Sequence, residues 1–311
     1  MTRFRIAIFG AGNVGATAAF LMAREGLGDI RLIDKAAGLA AGKAEDIRQS
    51  LALVGSPVDV SGGDAVSQCR DADLVVITAG FPRKVGMSRE DVLRANMDVL
   101  HDVMGAVREQ APGAIVLMVS NPVDILTHAA LRMGDWPRTR ILGLSGQMDA
   151  HRLRRFIADA LEVGVEDVQA EVLGPHSDDM LIPPRLCTVK GIPLPELLPA
   201  DAIEGLLDNT RHAGGRLIEK TGGLSPFFTA AATITELARA IVHDEDRLVS
   251  ASVLLQGEYG LEDVCMAMPI RLGRSGILSV HTPRLHADEM AALGQAAERM
   301  QALALQVMEK G

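Results

Sequence analysis

The chain has 311 residues, enough for two compact domains, and 48% hydrophobic against 23% charged residues supports buried cores rather than disorder. A net charge of −9 is the wrong sign for a phosphate-backbone binder, and 3% aromatics offers no base-stacking platform, so nucleic acid is not expected as a partner. Three cysteines without CxxC or metal-type spacing point to a reducing compartment, no disulfide framework and no metal.

Phe4–Phe9 is the first predicted strand; it is too short in apolar core for a signal peptide, and no run reaches the ~20 apolar residues of a membrane helix. The expectation is a cytoplasmic protein with no membrane partner. Gly10-Ala11-Gly12-Asn13-Val14-Gly15 follows and opens a helix, fitting GxGxxG. Glycines there let the backbone approach a pyrophosphate at a helix N-terminus, although an ordinary tight turn would show the same letters. The second strand, Asp29–Ile33, ends at Asp34, about 20 residues beyond the loop, where the dinucleotide fingerprint places its ribose-binding acid. A carboxylate at that position repels a 2′-phosphate, which favours NAD over NADP.

Ala40, Ala44, Ile47, Leu51 and Val54 step with helical period, and Val58–Val60 reads as a short third strand. Leu74–Thr78 is the fourth strand, followed by the loop Ala79–Arg89 with Arg83 and Arg89. Two arginines in a glycine-bounded loop at a ligand edge suggest carboxylate clamps under a closing lid; a solvated basic loop is the competing reading. A helix opening near Ser88 carries Val92, Asn96, Val99, Val103 and Val107. Ile115–Val119 and Ile141–Leu144 complete six strands with intervening helices, a Rossmann-type doubly wound parallel sheet over residues 1–145.

From residue 146 to 311 the texture changes to a second α+β domain. Helices are predicted at Asp149–Leu161, Ile203–Glu219, Phe228–Val242 and Ala287–Glu309. Strands are predicted at Val168–Leu173, Arg185–Val189, Arg247–Leu255, Val264–Ala267 and Gly276–Ser279. Asp149 and Arg152 sit three apart on a helix and can face one site. His176 lies in a turn after a strand, where a paired carboxylate would suit it to proton transfer; it is one of eight histidines, and most lone ones are solvated or structural.

Taken together, these segments resemble the malate/lactate dehydrogenase family from end to end, most closely its lactate-dehydrogenase-like malate dehydrogenases. Val119-Ser120-Asn121-Pro122-Val123-Asp124, Asp149-Ala150-His151-Arg152 and His176-Ser177-Asp178 join the two loops in carrying the resemblance. The resemblance implies NAD-dependent interconversion of malate and oxaloacetate. His176 would exchange the proton, with Asp149 stabilising its imidazolium. Arg152 would hold the C1 carboxylate, Arg83 the distal one, Arg89 would polarise the carbonyl and Asn121 would bind the substrate oxygen. The cofactor would lie on Gly10, Ala11, Gly12, Asn13, Val14, Gly15, Asp34, Asn96, Val119, Ser120 and Asn121. A homo-dimer or homo-tetramer is implied as well.

Lactate or broader 2-hydroxy-acid oxidation is the alternative, and Arg83 argues against it, because lactate-specific relatives carry an uncharged residue there. A catalytically silent NAD-binding sensor is a third reading, opposed by retention of His176, Asp149, Arg152 and Asn121. Pro175, Ser177 and Asp179 depart from the family pattern. Pro175 should hold Gly174 extended, and Asp179 adds a carboxylate close in sequence to His176.

Overall fold

The computed structural model describes residues 3–81 and 89–308, the side chains of 89–91 and 307–308 excepted. In chain order the first half runs β1 (Arg5–Phe9), α1 (Asn13–Arg24), β2 (Asp29–Ile33), α2 (Ala37–Leu51) and β3 (Val60–Gly63). It continues with β4 (Leu74–Ile77), α3 (Arg89–Gln110), β5 (Ile115–Met118), α4 (Val123–Arg132) and β6 (Ile141–Gly143). The strands lie parallel in the order β3-β2-β1-β4-β5-β6, the expected doubly wound sheet.

Alternation along the strands builds two cores. Ile6 and Ile8 of β1 and Leu74 and Val76 of β4 face one side, packed with Ala18, Ala19 and Met22 of α1. Ala7, Phe9, Val75 and Ile77 face the other, against Leu100, Val103 and Met104 of α3. Both faces are covered, which is why these strands read as unbroken apolar runs.

The third strand is displaced from its predicted span, Val58–Val60, to Val60–Gly63, where Ile30 to Ile33 of β2 pair with it. Ser61-Gly62-Gly63 carries no apolar signal, yet Gly62 is needed. A Cβ there would lie 2.2 Å from the Ala40 carbonyl, so only glycine lets α2 settle onto β3.

The second half opens with α5 (Gly146–Leu161), three residues before the predicted start. Gly146 is a packing residue rather than a breaker, because a Cβ on it would meet Ser250 Oγ at 2.2 Å. The predicted strands Val168–Leu173 and Arg185–Val189 shorten to β7 (Val168–Gln169) and β8 (Thr188–Val189), joined by β9 (Ile192–Pro193) in a small antiparallel sheet. The single helix expected over Ile203–Glu219 is two, α6 (Ala200–Arg211) and α7 (Ala213–Lys220). The chain leaves helical geometry at His212, just before Gly214-Gly215. A third core gathers Leu153 and Ile157 of α5 with Ile203 and Leu207 of α6.

The chain closes with α8 (Phe228–Val242), β10 (Arg247–Gln256), β11 (Glu262–Gly273), β12 (Gly276–Val280) and α9 (Ala287–Met308). Glu309, the predicted end of the last helix, lies outside the described residues. These three antiparallel strands extend the first sheet to nine, because β10 pairs with β6 at Ser252 and Gly143.

Glu171 is a carboxylate that this packing buries, and its Oε1 has no hydrogen-bond partner. Burial pushes its pKa up from 4.5 to about 7, against smaller opposing hydrogen bonds from Ser250 and Val172. The folded chain therefore holds this proton more tightly than the unfolded chain. The stability gained is complete below pH 4.5 and is lost as pH rises through about 7, a swing of about 3 kcal/mol. Glu171→Gln is expected to match the parent in denaturant unfolding at pH 4.5 and to exceed it at pH 8. An equal difference at both pH values would show that Glu171 does not titrate in this way.

Candidate active site

The carboxyl ends of β1, β2, β4 and β5 converge where the strand order reverses, the edge at which doubly wound sheets bind ligands. Gly10, at φ +107°, turns the chain out of β1; a Cβ would meet Thr78 Oγ1 at 2.5 Å. A Cβ on Gly15 would lie 1.9 Å from the Gly10 carbonyl, so helix and strand can meet only through glycine. At Gly12 nothing lies within 4 Å of that position. Gly12 is also the residue before α1, whose first turn has no acidic side chain. The loop thus presents open backbone and the positive end of a helix, which fits a pyrophosphate.

Asp34 accepts the Ala11 N–H on one oxygen (2.7 Å) and the Ala36 N–H on the other (2.9 Å). Each oxygen retains acceptor capacity for a ribose hydroxyl. Lys43, which sequence reasoning did not single out, reaches from α2 to donate to the Ala11 carbonyl at 2.8 Å. Its position on the inner face of an amphipathic helix was the available signal.

Asn96 and Ser120 brace the far wall rather than present free polar groups. Asn96 is buried; its Oδ1 accepts the Phe81 N–H (2.6 Å), and its Nδ2 donates to the Asn121 carbonyl (2.8 Å). Ser120 Oγ donates to the Ala79 carbonyl at 2.5 Å. Val119 is half-buried against the core, and Asn121 is exposed at the end of β5, joined to Pro122 by a cis peptide.

α5 and the turn after β7 bring the proton-transfer residues together. His176 Nδ1 lies 2.6 Å from Asp149 Oδ2, and Asp149 Oδ1 accepts from Arg152 Nη1 at 3.0 Å. Asp149 is 1% exposed, so water cannot replace these partners. The carboxylate fixes Nδ1 as the protonated nitrogen and leaves Nε2 for exchange. Burial pulls the His176 pKa down, but the charge and hydrogen bond of Asp149, with the charge of Asp124, outweigh burial and Arg152, and the net shift is upward. Arg152 Nε is buried without a hydrogen-bond partner, an unsatisfied guanidinium donor beside the His176–Asp149 pair.

One expectation about the histidine turn is corrected. Gly174 is not held extended before Pro175: it adopts φ +83°, open to a residue without Cβ, and exchanges both backbone hydrogen bonds with Ala267. The carboxylate of Asp179, close to His176 in sequence, accepts from Arg299 of α9 at 2.9 Å. Arg83 and the side chain of Arg89 lie outside the described residues.

Comparison with known proteins gives two family models in tandem. The lactate/malate dehydrogenase NAD-binding domain matches residues 4–143, and the lactate/malate dehydrogenase alpha/beta C-terminal domain matches residues 146–310. A malate dehydrogenase of Thermomicrobium roseum is 38% identical over 301 residues, 97% of each chain. The apo malate dehydrogenase of Picrophilus torridus is 32% identical with a TM-score of 0.95, covering 99% of each chain. A Cryptosporidium parvum lactate dehydrogenase, solved with lactic acid and NAD, is 28% identical, also with a TM-score of 0.95, over 99% of this chain and 98% of that one.

Proposed function

The chain belongs to the lactate/malate dehydrogenase family, and from that membership we propose that it is an NAD-dependent enzyme interconverting (S)-malate and oxaloacetate. The observation that carries this reading is the buried Arg152–Asp149–His176 chain, with its unsatisfied guanidinium donor. In our reading the nucleotide lies along residues 10–15 with its ribose on Asp34, in the half ending at residue 145. Bound there, the nicotinamide supplies or accepts the hydride at the substrate C2.

The remaining work falls to the chain's own residues. Arg152 orients the C1 carboxylate, and Arg89 and Asn121 hold the C2 oxygen. In reduction, protonated His176 gives its Nε2 proton to that oxygen; in oxidation, neutral His176 takes it back. Asp149 stabilises the imidazolium.

The fold does not choose between oxaloacetate and pyruvate, since malate and lactate dehydrogenases superpose on it equally well. Arg83 supports the dicarboxylate, as the cation for its second carboxylate. NADH consumption with the two acids side by side tests this. Oxaloacetate should be favoured in kcat/KM by on the order of a hundredfold or more. Preference for pyruvate would overturn the substrate, and turnover of neither would leave a silent NAD-binding protein.

No helix among the described residues is long and apolar enough to cross a membrane. We further propose a cytoplasmic homo-dimer or homo-tetramer. Leu53, Leu248 and Phe228, exposed at 89%, 57% and 71%, are apolar surface that self-association would cover. A monomer in sedimentation would contradict that.

A further inference from the structure

Asp124 has no role in the reaction as read above, yet it is buried at 4% exposure in the first turn of α4. Both of its oxygens are used by the second half of the chain. Oδ2 accepts the backbone N–H of His176 at 2.7 Å, and Oδ1 accepts the Ser252 hydroxyl of β10 at 2.5 Å. Burial pushes the Asp124 carboxyl up from its ordinary range, and the hydrogen bonds from Ser252 and His176, with the His176 charge, oppose that rise. Burying a carboxylate is costly unless its partners compensate, and an apolar side chain would fill this place more cheaply. What an apolar side chain could not do is hold the histidine. Asp124 also stands three residues after Asn121, so one short turn offers Asn121 to the substrate and Asp124 to the histidine loop.

The geometry points to Asp124 as a positioning residue: its buried carboxylate ties the backbone of His176 to the Asn121 turn and sets the electrostatic field in which the imidazole titrates. This inference rests on the reading of His176 as the proton carrier. Facing His176 are Asp149 and Arg152 from α5 and Asp124 from α4. Facing Asp124 are His176, Asp149, the Ser252 hydroxyl and the buried thiol of Cys265 from β11. Behind Asp124 lies a small cavity also lined by His128 and Asp263. His128 and Arg132 are both paired with Asp263, so that group is internally compensated. The negative charge of Asp124 therefore acts on His176 alongside that of Asp149, and both favour the protonated ring.

The test is a titration of the whole protein labelled at histidine Cε1 and followed by NMR. The His176 signal is identified by its loss in His176→Asn. Asp124→Asn keeps the shape of the carboxylate and one acceptor for the His176 N–H, while the Ser252 hydroxyl turns to accept from the new amide. The expected result is a His176 midpoint lower by about one pH unit, with the histidines remote from Asp124 unmoved. The shared limb of the two kcat/KM–pH profiles, alkaline for oxaloacetate reduction and acid for malate oxidation, should move by the same amount. If Asp124→Asn does not fold, Asp124→Ser removes the same charge with a smaller side chain and should lower the midpoint in the same way. An unmoved midpoint in the folded variant overturns the inference, whatever happens to the overall rate. The titration needs no substrate. A shifted midpoint in a protein that turns over neither acid would uphold Asp124 and overturn the functional reading instead.

Discussion

Replacing His176 with asparagine is expected to slow oxaloacetate reduction about a thousandfold while leaving NADH affinity within about twofold. Asparagine is similar in girth and can still meet Asp149, but it has no proton to exchange near neutral pH. Asp149 keeps Arg152 at 3.0 Å, so the buried carboxylate is not stranded and the fold should survive. The nucleotide residues 10–15 and 34 stand at the ends of other strands and do not depend on the imidazole. Stopped-flow reduction with a parallel fluorescence titration of NADH reads both quantities. Loss of NADH binding in step with turnover would make His176 a structural residue. In the parent, the upward shift of His176 should place the midpoint shared by the two directions above the ordinary imidazole value of 6.5.

The second large effect separates two arginines. Truncating one partner of a buried, hydrogen-bonded charge pair costs ~2–5 kcal/mol, which is roughly 30-fold to a few thousandfold in kcat/KM. Arg83→Gln should impose that loss on oxaloacetate and raise pyruvate turnover, because pyruvate would no longer trap an unpaired cation. Arg152→Gln should damage both substrates, since both carry the C1 carboxylate that Arg152 orients. The measurement is kcat/KM for both acids in the parent and the two variants. Equal slowing of both acids by Arg83→Gln would remove the main support for the dicarboxylate.

Legibility in the sequence followed the reach of the interactions. Asp29–Ile33 and Phe228–Val242 were legible because local apolar patterning sets their extent. The third strand was not, since Ser61-Gly62-Gly63 becomes a strand only by pairing with β2 and yielding to α2. Extending the sheet through β10 depends on one pairing between distant residues, Ser252 and Gly143, and has no local signature. The same division runs through the site. The glycine loop and Asp34 lie close enough in sequence for their spacing to be read. Asp149 and His176 are 27 residues apart, and only resemblance suggested that they meet. Asp124 was visible within its motif, but its task is a bond to a backbone N–H 52 residues away, which no spacing rule announces.

The seam between β6 and β10 also has a mechanical consequence. Gly143 lets the strands approach so closely that a Cβ on it would sit 2.9 Å from the Ser252 Cβ. Rotating one half against the other would shear this seam and pull Asp124 away from Ser252 and His176 together. A jaw-like opening would thus dismantle the proton-transfer geometry each time it occurred. The close contact of β6 with β10 and the two bonds of Asp124 therefore oppose any such rotation together.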